Sequence, residues 1–212
     1  MKFDRDNLLL YAVTDRAWVG RQTLLEQIES ALAGGVTLVQ LREKRMSGED
    51  LVREAREVRA LCHRYGVPLI LNDDVDAALA SGADGVHVGA EDLPVRSVRE
   101  RVGQGMIVGA TAKTVAQAQA AEAAGADYLG VGAVFPSPTK QNAIRITAEE
   151  LRTICASVSI PAVAIGGITR ENLGELRGCG MAGIAVVSAI FSAEDIQAAA
   201  RELRAAAADL VR

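Results

Sequence analysis

Aromatic residues make up only 3% of this 212-residue chain, acidic residues outnumber basic ones, and the formal net charge is −4. A nucleic-acid face needs basic patches and stacking platforms, so nucleic acid is excluded as a partner. No apolar run approaches the roughly 18 residues that a bilayer-spanning helix requires. Residues 1–6 carry charge directly before a strand-like run, unlike a secretory leader. A soluble, cytoplasmic protein with no membrane partner is expected. The three cysteines, Cys62, Cys155 and Cys179, are far apart and lack CxxC spacing. That pattern supports neither a disulfide framework nor a zinc site, and reduced thiols are expected. No Gly-x-Gly-x-x-Gly follows the first strand-like run, and no Ser/His/Asp or Cys/His arrangement offers a covalent nucleophile.

What is present is alternation. Short β-branched runs, at 8–14, 37–42, 68–72, 85–89, 106–111, 128–132, 161–166 and 183–188, are separated by helical stretches rich in Ala, Leu, Glu and Arg. Within residues 49–65, for example, Leu51, Ala55, Val58 and Cys62 form one apolar stripe on a charged helix. A weak repeat punctuates the chain: Ala33-Gly34-Gly35-Val36, Ser81-Gly82-Ala83-Asp84, Ala124-Gly125-Ala126-Asp127 and Cys179-Gly180-Met181-Ala182 each precede a strand. Glycine there ends a helix in a left-handed conformation and turns the chain back. Eight βα units, one helix per strand, in a chain of this length predict an α/β fold: a single (β/α)8 TIM barrel over residues 1–212. Such barrels carry their active sites at the carboxyl ends of the strands.

The second strand ends Gln40-Leu41-Arg42-Glu43-Lys44, and alternation would put Gln40, Arg42 and Lys44 on one face. Buried strands of parallel sheets are normally apolar on both faces. Two cations leaving one in single file call for an anion, with a phosphate or pyrophosphate a common partner of Arg and Lys. Surface pairing with Glu43 and nearby carboxylates is the plainer alternative. The third strand ends Leu71-Asn72-Asp73-Asp74, and the fourth, 85–89, ends in His87-Val88-Gly89 followed by Ala90-Glu91-Asp92. Asp73 or Asp74 would serve as the cap of a helix starting at Val75, and Asp92 as a cap before Pro94. Taken together, carboxylates on adjacent loops beside a cationic strand suit Mg²⁺, which takes one or two carboxylates, waters and phosphate oxygens.

At the fifth strand Thr114 is the better helix cap, which leaves Thr111 for the site. The longest connection, 134–147, carries hydroxyls and cations, the composition of a substrate lid or of a surface loop. Gly166-Gly167 after the seventh strand and the segment after the eighth suggest a second anion pocket built from backbone N–H groups. His63 reads as a surface residue and His87 as a pocket wall without a metal partner. Trp18 would either cover the mouth or pack against the last helix.

These residues resemble the thiamine phosphate synthase family. The resemblance rests on Gln40-Leu41-Arg42-Glu43-Lys44, Asn72-Asp73, His87-Val88-Gly89-x-x-Asp92-Leu93, Phe135-Pro136-Ser137-x-Thr139-Lys140, Ala164-Ile165-Gly166-Gly167-Ile168 and Val186-Val187-Ser188-Ala189-Ile190. Each motif alone is weak; in register at successive strand ends, over nearly the whole chain, they are specific. The resemblance implies a Mg²⁺-dependent transferase with small-molecule substrates. It would join hydroxymethylpyrimidine pyrophosphate to a thiazole phosphate, releasing pyrophosphate and thiamine phosphate.

By the same resemblance Arg42, Lys44, Asn72 and Lys140 would hold the pyrophosphate, Asp73 and Asp92 the metal, and Gln40 with Thr111 the pyrimidine side. Ser137, Thr139, Gly167, Val187 and Ser188 would hold the thiazole phosphate, while Arg42, Lys44, Thr111 and Lys140 would act on the reacting groups. The sequence departs from the family at Thr111, usually Ser, at Lys113, usually His, and at Ser137, commonly Thr. Competing readings are a thiazole tautomerase-like isomerase and a noncatalytic thiamine phosphate binder. Whether the chain forms a homo-oligomer is left open.

Overall fold

The computed structural model describes residues 3–136 and 145–212. Eight parallel strands close into a barrel in sequence order: β1 (Leu10–Val13), β2 (Leu38–Leu41), β3 (Leu69–Asn72), β4 (Gly85–Val88), β5 (Ile107–Ala112), β6 (Tyr128–Gly132), β7 (Ala162–Ile165) and β8 (Gly183–Val186). Closure runs from β1 to β8, with Leu10 opposite Ile184 and Ala12 opposite Val186. The strands are mostly shorter than the apolar runs that signal them. Thr14 and Arg42, for example, lie just beyond strand ends, at the mouth.

Period-two alternation divides the core in two. Leu10, Ala12, Val39, Leu41, Leu69, Leu71, Val86, Val88, Val108 and Leu129 point outward into the layer shared with the helices. Tyr11, Val13, Leu38, Ile70, Ile107, Tyr128, Val163 and Ala185 point inward and fill the barrel, with Leu8 and Phe3 below them. The helices are α1 (Leu24–Ala33), α2 (Gly48–Arg64), α3 (Val75–Ser81), α4 (Val95–Val102), α5 (Val115–Ala123), α6 (Ala148–Ala156), α7 (Ser188–Phe191) and α8 (Ile196–Leu210). Thr23, Asp74, Thr114, Thr147 and Asp195 each accept a hydrogen bond from the backbone of the first turn that follows. The repeated glycines turn the chain as expected: Gly35, Gly82, Gly125 and Gly180 all have positive φ.

One helix per strand does not hold. Between β7 and β8 the chain makes only a 3-10 turn, Leu173–Leu176. Gly174 and Gly178 interrupt that segment, and glycine is a poor propagator of helix. Asn172 instead closes a local loop, accepting from Thr169 N at 2.8 Å and donating to Gly167 O at 2.9 Å. The short α7 after β8 brings the described helices back to eight. His63 is also more than a surface residue. Its Nε2 lies 2.8 Å from Asp84 Oδ2, and Asp84 also accepts from Leu69 N at 2.9 Å, so α2 is tied to the start of β3. Trp18 packs on the outer core and does not line the barrel mouth.

Gly109 permits the interior packing. A Cβ there would lie 2.2 Å from Tyr128 Cζ and 2.5 Å from His87 Nδ1, inside the atoms of two buried rings. Gly109→Ala is therefore expected to destabilise the fold by about 1–3 kcal/mol, as overpacking does. A lower urea midpoint with an unchanged slope would show it; an unchanged midpoint would mean that the rings shift freely.

Candidate active site

At the carboxyl ends of the strands lies a cavity with an open mouth. Of the residues singled out from sequence, Gln40, Arg42, Asn72, Thr111, Gly167, Val187 and Ser188 line it. Lys113 lines it too, and Tyr11 and His87 form part of its floor. Lys44 does not join them. Because β2 ends at Leu41, the alternation that would have carried Lys44 inward stops, and the residue sits exposed in a bend. Ser137, Thr139 and Lys140 lie outside the described residues.

Arg42 is fixed at the rim. Its backbone N donates to the buried Thr14 Oγ1 at 3.0 Å, and its guanidinium lies 3.6 Å from Asp15. The neighbouring Glu43 is not its partner. Glu43 instead accepts from Arg16 Nε at 2.8 Å, and Arg16 also pairs with Glu54 of α2. Burial first of all pushes the Glu43 carboxyl upward, against the pull of Arg16. Among the described residues the one ion pair of Arg42 is the longer contact to Asp15, and it also acts on the Asp73 carboxyl.

The two loops after β3 and β4 carry the carboxylates. Asp74 takes the helix cap by accepting from Ala77 N at 2.8 Å, which releases Asp73. Asp73 holds a left-handed φ of 63°, the one described non-glycine residue to do so; such strain is common at functional sites. Asp92 is not a helix cap either. Its Oδ2 accepts from Gly89 N at 2.8 Å, and Pro94 directly precedes α4. By surface area both aspartates are exposed, yet the Asp73 carboxyl is crowded. It is pushed up to about 6 by burial, then by the facing Asp92 carboxylate, with the Asn72 amide and Arg42 pulling the other way.

Across the floor runs a line of hydrogen bonds. Gln40 Nε2 donates to Tyr11 Oη at 2.6 Å, Tyr11 and Tyr128 hydroxyls meet at 2.8 Å, Tyr128 reaches His87 Nδ1 at 3.1 Å, and His87 Nε2 reaches Thr111 Oγ1 at 3.1 Å. Burial pushes His87 down to about 4, so the imidazole is neutral near pH 7. Burial also raises both phenols, which stay protonated. Sequence reading missed Tyr11 and Tyr128. Each looks like an ordinary aromatic in an apolar strand, and only barrel closure brings the two hydroxyls together.

The glycine pair after β7 lines the cavity and also admits a close backbone approach. A Cβ on Gly167 would fall 2.1 Å from Pro136 O, and one on Gly166 would fall 2.5 Å from Ala133 Cβ. The close approach is thus by the backbone of the β6 loop, which bonds to Ile165 O and Gly166 O at 3.0 Å each. Val187 and Ser188 open α7 at the cavity wall, where the first backbone N–H groups of a helix lack intrahelical partners.

The metal-free carboxylate pair yields a signed prediction. Asp73 titrates near 6 in the folded protein and near 3.8 otherwise. The folded state therefore holds more protons between those values, and stability falls as pH rises through them. Asp73→Asn should raise the melting temperature of metal-free protein at pH 8 by ~2–4 °C, about 1 kcal/mol after solvent screening. It should give no gain at pH 3.5. A loss at pH 8 would show that the carboxylate is not under this pressure.

A family model described as thiamine monophosphate synthase matches residues 10–190. Over 92% of both chains, the protein is 50% identical to the thiamine-phosphate synthase of Ruminiclostridium cellulolyticum. It is 45% identical to that of Methanobrevibacter smithii, covering 93% of this chain and 94% of the relative. The solved structure of thiamine phosphate pyrophosphorylase from Pyrococcus furiosus superposes with a TM-score of 0.90 at 39% identity, over 98% of this chain and 99% of that one. On the match to residues 10–190 and these identities, the chain belongs to the thiamine monophosphate synthase family.

Proposed function

We propose that the protein joins 4-amino-2-methyl-5-hydroxymethylpyrimidine pyrophosphate to 4-methyl-5-(2-hydroxyethyl)thiazole phosphate, giving thiamine phosphate and pyrophosphate. The observation that carries this reading is the meeting of opposite charges at one end of a polar-floored cavity. Arg42, Gln40 and Thr111 line that cavity, while Asp73 and Asp92 face each other on the loops beside it, outside its lining, with Arg42 close enough to pull on the Asp73 carboxyl.

The residues fit Mg²⁺. Two carboxylates from adjacent loops face each other at a cost that a dication would remove. Among the described residues, no group of three or more His, Cys, Asp or Glu could hold a metal ion. An all-protein cage is thus missing, and Mg²⁺ characteristically completes its shell with water and phosphate oxygens. Asp73 and Asp92 would hold it, and when bound it would neutralise charge on the leaving pyrophosphate.

The remaining roles belong to the chain. Arg42 and Asn72, with Lys140, would bind the pyrophosphate and stabilise the charge that builds on it as the methylene C–O bond breaks, and Lys44 would reach it from its exposed bend outside the cavity lining. The electron-rich aminopyrimidine carries the transient positive charge, with Gln40 and Thr111 orienting the ring. The thiazole nitrogen then forms the new C–N bond, so one bond breaks and one forms without a covalent enzyme intermediate. Val187, Ser188 and Gly167, with Ser137 and Thr139, would hold the thiazole phosphate in line for that attack.

A cytoplasmic location belongs to the same proposal, supported by the free thiols of Cys62, Cys155 and Cys179. No helix among the described residues is long and apolar enough to cross a membrane. The direct test is pyrophosphate release by the purified protein, with omission of each substrate and of metal in turn. Release that requires both substrates and Mg²⁺ is expected. Binding of thiazole phosphate without release would shift the assignment to an isomerase or a binder.

A further inference from the structure

Gln40, Tyr11, Tyr128, His87 and Thr111 come from β2, β1, β6, β4 and β5, and they form one unbroken line of hydrogen bonds across the barrel. Tyr128 is 0% exposed, Tyr11 1%, Gln40 4% and His87 9%, so water is not a ready substitute for the links from Gln40 to His87, while the last link, to Thr111, is half-buried. Counting hydrogens gives the line a direction. The Gln40 amide is oriented with Nε2 toward Tyr11, and a nitrogen so placed can only donate, so Tyr11 Oη accepts from it; the direction of the line follows from that orientation. The single hydrogen of Tyr11 then goes to Tyr128, and the single hydrogen of Tyr128 goes to His87 Nδ1. Nδ1 is therefore the acceptor, and the ring hydrogen sits on Nε2, facing Thr111 Oγ1. A hydrogen on Nδ1 would confront Tyr128 with two donors and leave its own hydrogen orphaned in the core.

We propose that this one-way chain holds His87 as the Nε2–H tautomer and so sets what the two cavity-facing ends offer a ligand: an acceptor at Gln40 Oε1 and a donor at the Thr111 hydroxyl. Tyr128 and His87 are positioning residues, since they act on the ligand through Thr111 and Gln40. An aminopyrimidine, with an N–H donor beside a ring nitrogen acceptor, matches that polarity. The 4-oxo analogue presents a carbonyl and a ring N–H in the same places and opposes it at both ends. The chain thereby sets a preference for amino over oxo pyrimidines, a specificity that rests on the proposed reading of the cavity. Sites built to pair with a polar ligand reject a mismatched analogue strongly, and discrimination on the order of 10³-fold or more is expected.

The tautomer is measured in ligand-free protein, so it does not depend on the reaction. The chain has two histidines, His63 and His87. In protein with ¹⁵N-labelled histidine at neutral pH, with a His63→Gln variant for assignment, His87 Nδ1 should give a pyridine-like signal and Nε2 a pyrrole-like one. The reverse pattern would overturn the proposal whatever the enzyme catalyses. In Tyr128→Phe the histidine signals should move toward a mixture of tautomers. The KM for the pyrimidine pyrophosphate should rise ~10-fold, the value of one lost neutral hydrogen bond, while the KM for the thiazole phosphate stays put. The expected tautomer with equal turnover of the amino and oxo pyrimidines would overturn the specificity claim. Absence of turnover with either would instead count against the proposed reaction and leave the tautomer result standing.

Discussion

Closing eight strands into a barrel sends every second side chain into a space that no helix can cover. Below the mouth that space is filled by Leu38, Ile70, Ile107 and Val163. At the carboxyl ends the inward positions are Gln40, Asn72, His87 and Thr111, and their polar groups must be satisfied by one another or by a ligand. The fold meets the requirement in part. Gln40 and Thr111 anchor the two ends of the tyrosine–histidine line, and glycine at 109 leaves room for the rings that carry it. What remains open to the cavity is the set of groups the internal bonds leave unused, so the polar floor that stabilises the barrel also defines the ligand's face.

The charged rim obeys a different balance. Arg16, held between Glu43 and Glu54, occupies the two carboxylates nearest to strand β2. Among the described residues Arg42 thus keeps one ion pair, the longer contact to Asp15, and its field on Asp73. On the opposite loops, capping by Asp74 and loop closure by Asp92 leave Asp73 in a strained backbone facing a like charge. Each arrangement costs stability in isolation. Together they are the strains that the proposed Mg²⁺ and pyrophosphate would relieve.

Much of this was legible in the chain. The period-two runs and the repeated glycines marked the strands and their turns, because both signals are local. Asn72, Thr111 and Arg42 could be placed at the mouth because they end such runs. The errors came where tertiary closure overrides the local pattern. Lys44 was put on the inner face by extending an alternation past the end of the strand. Gly166 and Gly167 line the cavity as expected, but the need for glycine there comes from the backbone of residues 133–136, which a Cβ would meet. His63 gained its role from Asp84, a residue distant in sequence. Tyr11 and Tyr128 carried no sequence signal, since their hydroxyls meet only when β1 and β6 face each other across the barrel.

The central claim is that the carboxylate pair and the cations opposite form one site, completed by a metal and a pyrophosphate together. Calorimetric titration of inorganic pyrophosphate into the protein, with and without Mg²⁺, tests it most directly. Reciprocal coupling between metal and anion should tighten pyrophosphate binding by ~10-fold or more when Mg²⁺ is present. Equal affinity in its presence and absence would contradict the account and leave Asp73 and Asp92 without a role in binding.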